Sequence, residues 1–129
     1  MRGLSDPYSL LAAKAACATL GTICAPPVLF AFAINADAHT PVPRPFDIVL
    51  LSMGLAFAAG TAAVMRAGRD RPAWNRRVAA PVASVVGVLS IAAGVTLSVF
   101  APEAYFFWVW PVIYGAVHLR AATTVWRLP

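Results

Sequence analysis

Residues 78–100 read VAAPVASVVGVLSIAAGVTLSVF, 23 positions without a charge that directly follow an arginine-rich segment. The many β-branched residues would suit a strand in water. A strand runs about 4–8 residues, however, and nothing in this stretch signals a turn. At about 1.5 Å per residue, a helix of this length crosses the roughly 30 Å hydrocarbon core of a bilayer. The stretch predicts a lipid-embedded helix, with Pro81 in its first turn, where a missing N–H costs little.

Three further apolar runs repeat the pattern: Ala15–Ile34, Ile48–Met65 and Ala104–Val125. The expectation is an all-α membrane protein of a single domain, residues 1–129, with four transmembrane helices over 15–34, 48–65, 78–100 and 104–125. Composition agrees: the 129-residue chain is 60% hydrophobic and 12% charged, against about half and about a quarter in soluble domains. The first run exceeds the roughly 7–15 residues of a signal-peptide core, so it is expected to remain as a helix despite the cleavage-like Ala36-Asp37-Ala38. Pro26-Pro27 predicts a kink or local unwinding in its outer half. Between the first two runs, Asn35–Phe46 carries Pro41, Pro43 and Pro45 and reads as an extended connector. Ala101-Pro102-Glu103 leaves so little slack that the last two helices must be antiparallel neighbours.

Charge sets the expected orientation. Arg2, Lys14, Arg66, Arg69, Arg71, Arg76, Arg77, Arg120 and Arg127 fall on one side of these runs and only Arg44 on the other, nine of the ten Lys and Arg residues. Cytoplasmic loops carry such an excess. The prediction is an up-down-up-down bundle with both termini cytoplasmic, in a bacterial inner membrane. The same flanking placement explains the net charge of +5 without a nucleic-acid partner, since no separate basic patch occurs. Tyr105, Phe106, Phe107, Trp108 and Trp110 are expected to anchor the outer interface, and Trp74 and Trp126 the inner one.

Small residues recur at four-residue spacing: Ala13, Cys17, Gly21 and Ala25; Ser52, Ala56 and Gly60; Ser90, Gly94 and Ser98. In lipid, such ladders let helix backbones approach. They serve either packing within the bundle or docking of partner subunits. The fourth run has no comparable ladder, and its aromatics suggest a rim facing lipid or a partner. The packing or partner face is therefore expected at Gly21, Gly60, Gly94, Trp108, Trp110 and Tyr114.

Trp110, Tyr114 and His118 form a polar-tipped stripe on the fourth run. His118 and Lys14 are the candidates for a polar path, although an interfacial His118 and a snorkelling Lys14 account for both. His39 lies in the outer connector, on the opposite side from His118, so the chain has no pair of histidines for a haem. Cys17 and Cys24, seven residues apart, are about 10 Å apart along a helix and cannot bridge. No metal or cofactor is expected. No acidic residue falls inside an apolar run, as a coupled carrier would require, and no catalytic motif occurs. Arg66, Arg69, Arg71, Arg76 and Arg77 are candidate contacts for anionic lipid headgroups.

These readings favour a non-catalytic accessory, assembly or stabilising subunit of a larger membrane complex, with the lipid bilayer and other membrane subunits as partners. A small homo-oligomeric transporter, channel or flippase is the alternative. An enzyme is the least favoured class.

Overall fold

A computed structural model describes residues 7–37, 45–100 and 102–128. They form four long helices and no strand: α1 (Pro7–Asp37), α2 (Pro45–Met65), α3 (Pro72–Phe100) and α4 (Tyr105–Trp126). Three of them are long and apolar enough to cross a membrane: α1 over Ser9–Phe30, α2 over Asp47–Met65 and α3 over its whole length. Helix α4 has 22 residues and carries Tyr114, His118 and Arg120 within it.

Several boundaries differ from the sequence-based expectation. Helix α1 continues through Asn35–Asp37, and α2 begins at Pro45, so both ends of the expected connector are helical. Residues 38–44, with His39 and Arg44, lie outside the described residues, as does Arg2. Helix α1 also runs as α-helix across Pro26-Pro27. Helix α3 starts at Pro72 rather than Val78, which places Pro81 well inside it rather than in its first turn. Residues Asn75–Ala79 adopt π-helical geometry, and the Ala80 N–H donates to the Asn75 carbonyl. A proline ring collides with the carbonyl four residues before it. The wider π turn immediately before Pro81 relieves that crowding while the helix continues.

Helix α1 packs on α2 and α4, and α3 packs on the same two, while α1 and α3 make no close backbone approach among the described residues. The contact between α3 and α4 is the most intimate. A Cβ on Gly115 would come 2.5 Å from the Gly87 carbonyl, and one on Gly94 would come 2.8 Å from the Trp108 carbonyl. The register, Gly87 opposite Gly115 and Gly94 opposite Trp108, shows the two helices running in opposite directions. The Trp108 indole donates to the Pro102 carbonyl and pins the turn between them.

The core grades along the helices. Leu20, Cys24, Phe57, Val86 and Tyr114 pack together in its largest cluster. Toward the arginine-rich end the buried residues become small: Ala83, Ala121 and Ala122, then Ala67, Ala79 and Ala80. There the loop is held by Asn75, fully buried, whose amide donates to the Gly68 carbonyl at 2.7 Å and accepts from the Gly68 N–H at 3.1 Å.

Gly115→Ala should lower stability by roughly 1–3 kcal/mol, because backbone rather than a movable side chain occupies the space. Gly68→Ala would meet only the exposed Asp70 carboxylate and should change stability by under about 0.5 kcal/mol. Thermal unfolding in detergent micelles compares them, and equal effects would contradict the packing described.

Candidate functional site

The polar face of α4 points inward. Tyr114 and His118 are completely buried, and their rings stack with centroids 4.0 Å apart. Phe57 of α2 lies 4.5 Å from the Tyr114 ring. The slot exists because small residues face it: a side chain on Gly60 would sit 3.2 Å from the His118 ring, and one on Gly21 would collide with Thr61. Gly60 thus makes room for the His118 ring, and Gly21 for the side chain of Thr61.

A chain of hydrogen bonds threads this slot. The Tyr114 hydroxyl donates to the Phe57 carbonyl at 2.5 Å and lies 3.1 Å from the Thr61 hydroxyl. Thr61 also reaches the Cys17 carbonyl of α1 at 3.3 Å. With the tyrosine proton given to Phe57, the single threonine proton serves the two remaining contacts. Cys17 of α1, Phe57 and Thr61 of α2 and Tyr114 of α4 are tied together.

His118 Nδ1 lies 3.1 Å from the Tyr114 carbonyl and 4.0 Å from Cys17 Sγ. Nε2 faces the Gly60 backbone without a hydrogen bond of normal geometry. If Nδ1 carries the proton it donates to the Tyr114 carbonyl, and a lone pair faces α2. If Nε2 carries it, Nδ1 can accept from the Cys17 thiol. In either form one nitrogen lacks a regular partner. Cys17 and Cys24 are both free thiols and buried, and the described residues contain no group of three His, Cys, Asp or Glu side chains able to hold a metal ion.

Of the two roles expected for Tyr114, helix packing or a partner face, the structure shows packing, and His118 is enclosed beside it, with Gly60 leaving room for its ring. Gly21, Gly60 and Gly94 are all buried against neighbouring helices of the same chain. Cys17 and Ala25 are buried as well, so the α1 ladder is largely taken up internally. Trp110 is half-buried against the core and Trp108 half-buried near the turn. Lys14 is half-buried on α1, and the polar contacts of His118 go to Tyr114 and Cys17, not to Lys14. Sequence reasoning missed Gly87, Gly115 and Asn75; Gly115 belongs to no four-residue ladder.

The arginines divide by use. Arg66 lies over the Trp74 ring at 5.1 Å, Trp74 donates to the Ala63 carbonyl, and Arg71 pairs with Asp70 at 3.5 Å. Arg69, Arg76 and Arg77 are exposed. Trp74 is therefore built into the loop rather than standing free as an anchor. The chain matches no protein-family model, no curated protein and no solved structure.

Tyr114→Phe should cost about 0.5–1.5 kcal/mol in a micellar unfolding measurement. A double-mutant cycle with Thr61→Val should show coupling of at least about 0.5 kcal/mol. Strict additivity would mean that the two hydroxyls do not act together.

Proposed function

We propose that the chain is a non-catalytic accessory, assembly or stabilising subunit of a larger complex in a bacterial inner membrane. In this reading all four helices cross the bilayer, up-down-up-down, with both termini cytoplasmic. The observation that carries it is the contrast between interior and exterior. Tyr114 and His118 are turned inward and Thr61 is bonded between helices. Exposed hydroxyls such as Thr19, Thr22 and Thr96 are bonded to carbonyls of their own helices, and α2 and α3 direct Val49, Leu55, Val85, Val88, Leu89 and Val95 outward. A surface of that kind suits lipid tails or the helices of another subunit.

The same contrast supports α4 as a fourth span. Its 22 residues cover about 33 Å as a helix, enough for the hydrocarbon core. Two of the residues that make it polar, Tyr114 and His118, are hidden from lipid. Arg120 and Arg127 are exposed toward the end that carries the arginine-rich loop, where a guanidinium reaches headgroups. The positive-inside bias supports the cytoplasmic placement of that end.

The alternative, a homo-oligomeric transporter, channel or flippase, needs a polar path. His118 has no exposed surface, and the glycine contacts leave no passage between α3 and α4. Such a path would have to run between copies of the chain.

Reporter fusions after Asp37, Asp70 and Glu103 should read outside, inside and outside; an outside signal at Asp70 would overturn the orientation. Purification in mild detergent with mass determination should recover stoichiometric foreign subunits. A pure homo-oligomer would replace the accessory reading with the alternative. The purified chain alone should show no Soret absorbance, and a haem band lost in His118→Gln would overturn the non-catalytic reading.

A further inference from the structure

The surface junction of α3 and α4 holds a groove of about 360 Å³ at the arginine-rich end, with walls that include Ala80, Pro81 and Ser84 from α3, Thr123 and Trp126 from α4, and Arg127 just after it. Its apolar character follows from the residues: Ala80 is buried at its base, and the Thr123 hydroxyl is turned onto the Arg120 carbonyl of its own helix. Trp126 is 58% exposed, with an amphipathic ring of the kind that lies at headgroup level.

Charge is distributed unevenly around this groove. In the adjoining loop Arg66 is engaged by Trp74, and Arg71 by Asp70. Arg127 on the groove wall makes no ion pair among the described residues, nor do Arg76 and Arg77. Arg77 precedes Pro81 by four positions, about one helical turn nearer the end of the bundle. From the interior outward the groove thus runs from small walls, past an indole ring, to the guanidinium of Arg127, with Arg77 about one turn beyond Pro81. That is the order of acyl chain, glycerol region and phosphate in a phospholipid.

We infer that this groove binds an anionic glycerophospholipid, with an acyl chain against Ala80, Pro81 and Ser84 and the phosphate held by Arg127 and Arg77. The site confers a preference over zwitterionic lipid, since the guanidinium groups are the part of it that distinguishes headgroup charge. It differs from diffuse attraction to the loop arginines, because Arg66 and Arg71 are already engaged within the chain. The inference rests on the membrane placement proposed above but not on the accessory role.

The test is fluorescence quenching in phosphatidylcholine vesicles containing equal mole fractions of brominated phosphatidylglycerol or brominated phosphatidylcholine. The Trp126 signal is the difference between the wild-type chain and Trp126→Phe. Brominated phosphatidylglycerol should quench it at least about threefold more strongly. In the double variant Arg77→Gln/Arg127→Gln that ratio should fall to near one, with quenching by brominated phosphatidylcholine unchanged. The charge-matched variant Arg69→Gln/Arg120→Gln should keep the preference; loss of it there would overturn the site in favour of diffuse surface attraction. Equal quenching by both lipids overturns the site alone, whereas quenching by neither overturns the membrane placement as well.

Discussion

A hydroxyl enclosed in an apolar helix bundle is cut off from water, so it must find a partner on a neighbouring helix or on its own backbone. The Tyr114 hydroxyl meets this constraint by reaching the Phe57 carbonyl and Thr61 together, and Thr61 extends the link to Cys17. Other features of the interior follow from that knot. Tyr114 can turn inward only where α1 and α2 present glycine or small side chains, and His118, one turn along α4, is drawn into the same slot by stacking on it. The ladders and the aromatic stripe are two halves of one packing solution.

The knot joins α1, α2 and α4 but does not touch α3, which is held by another device. Gly87 and Gly115 let the backbones of α3 and α4 meet, with main-chain atoms and the side chains of Ile91 and Leu119 packed against them. Such contact gains dispersion energy along the whole helix pair, which matters where lipid tails compete for apolar surface as well as any side chain does. At the arginine-rich end, buried alanines continue the close approach, and Asn75 closes the loop by satisfying both polar groups of Gly68.

The sequence was most legible where a single property decides the outcome. Uncharged length marked the apolar parts of α2 and α3, and the short turn before Tyr105 implied the neighbouring antiparallel helices that the Gly87–Gly115 register shows. What it could not convey is which side of a helix faces inward when every side is apolar. Tyr114 could have faced either another helix of the bundle or a partner, and nothing in its own run decides between them. The enclosure of His118 depends on Gly60, far away in sequence. The start of α3 was misplaced because arginines read as loop, although Pro72 is a suitable first helical residue. The π turn arises from Pro81 acting on residues before it, which a span drawn from Val78 hides.

Asn75 also explains why the arginine-rich segment is not a uniform basic patch. By fixing Gly68 it sets the course of the loop, on which Arg66 lies over Trp74 and Arg71 pairs with Asp70. Those two charges are then partly answered within the chain. Arg76 and Arg77 project from the π turn that begins at Asn75 itself, and they are left exposed. The residue that orders the loop therefore also separates the arginines engaged within the chain from Arg76 and Arg77, which stay exposed near the start of α3.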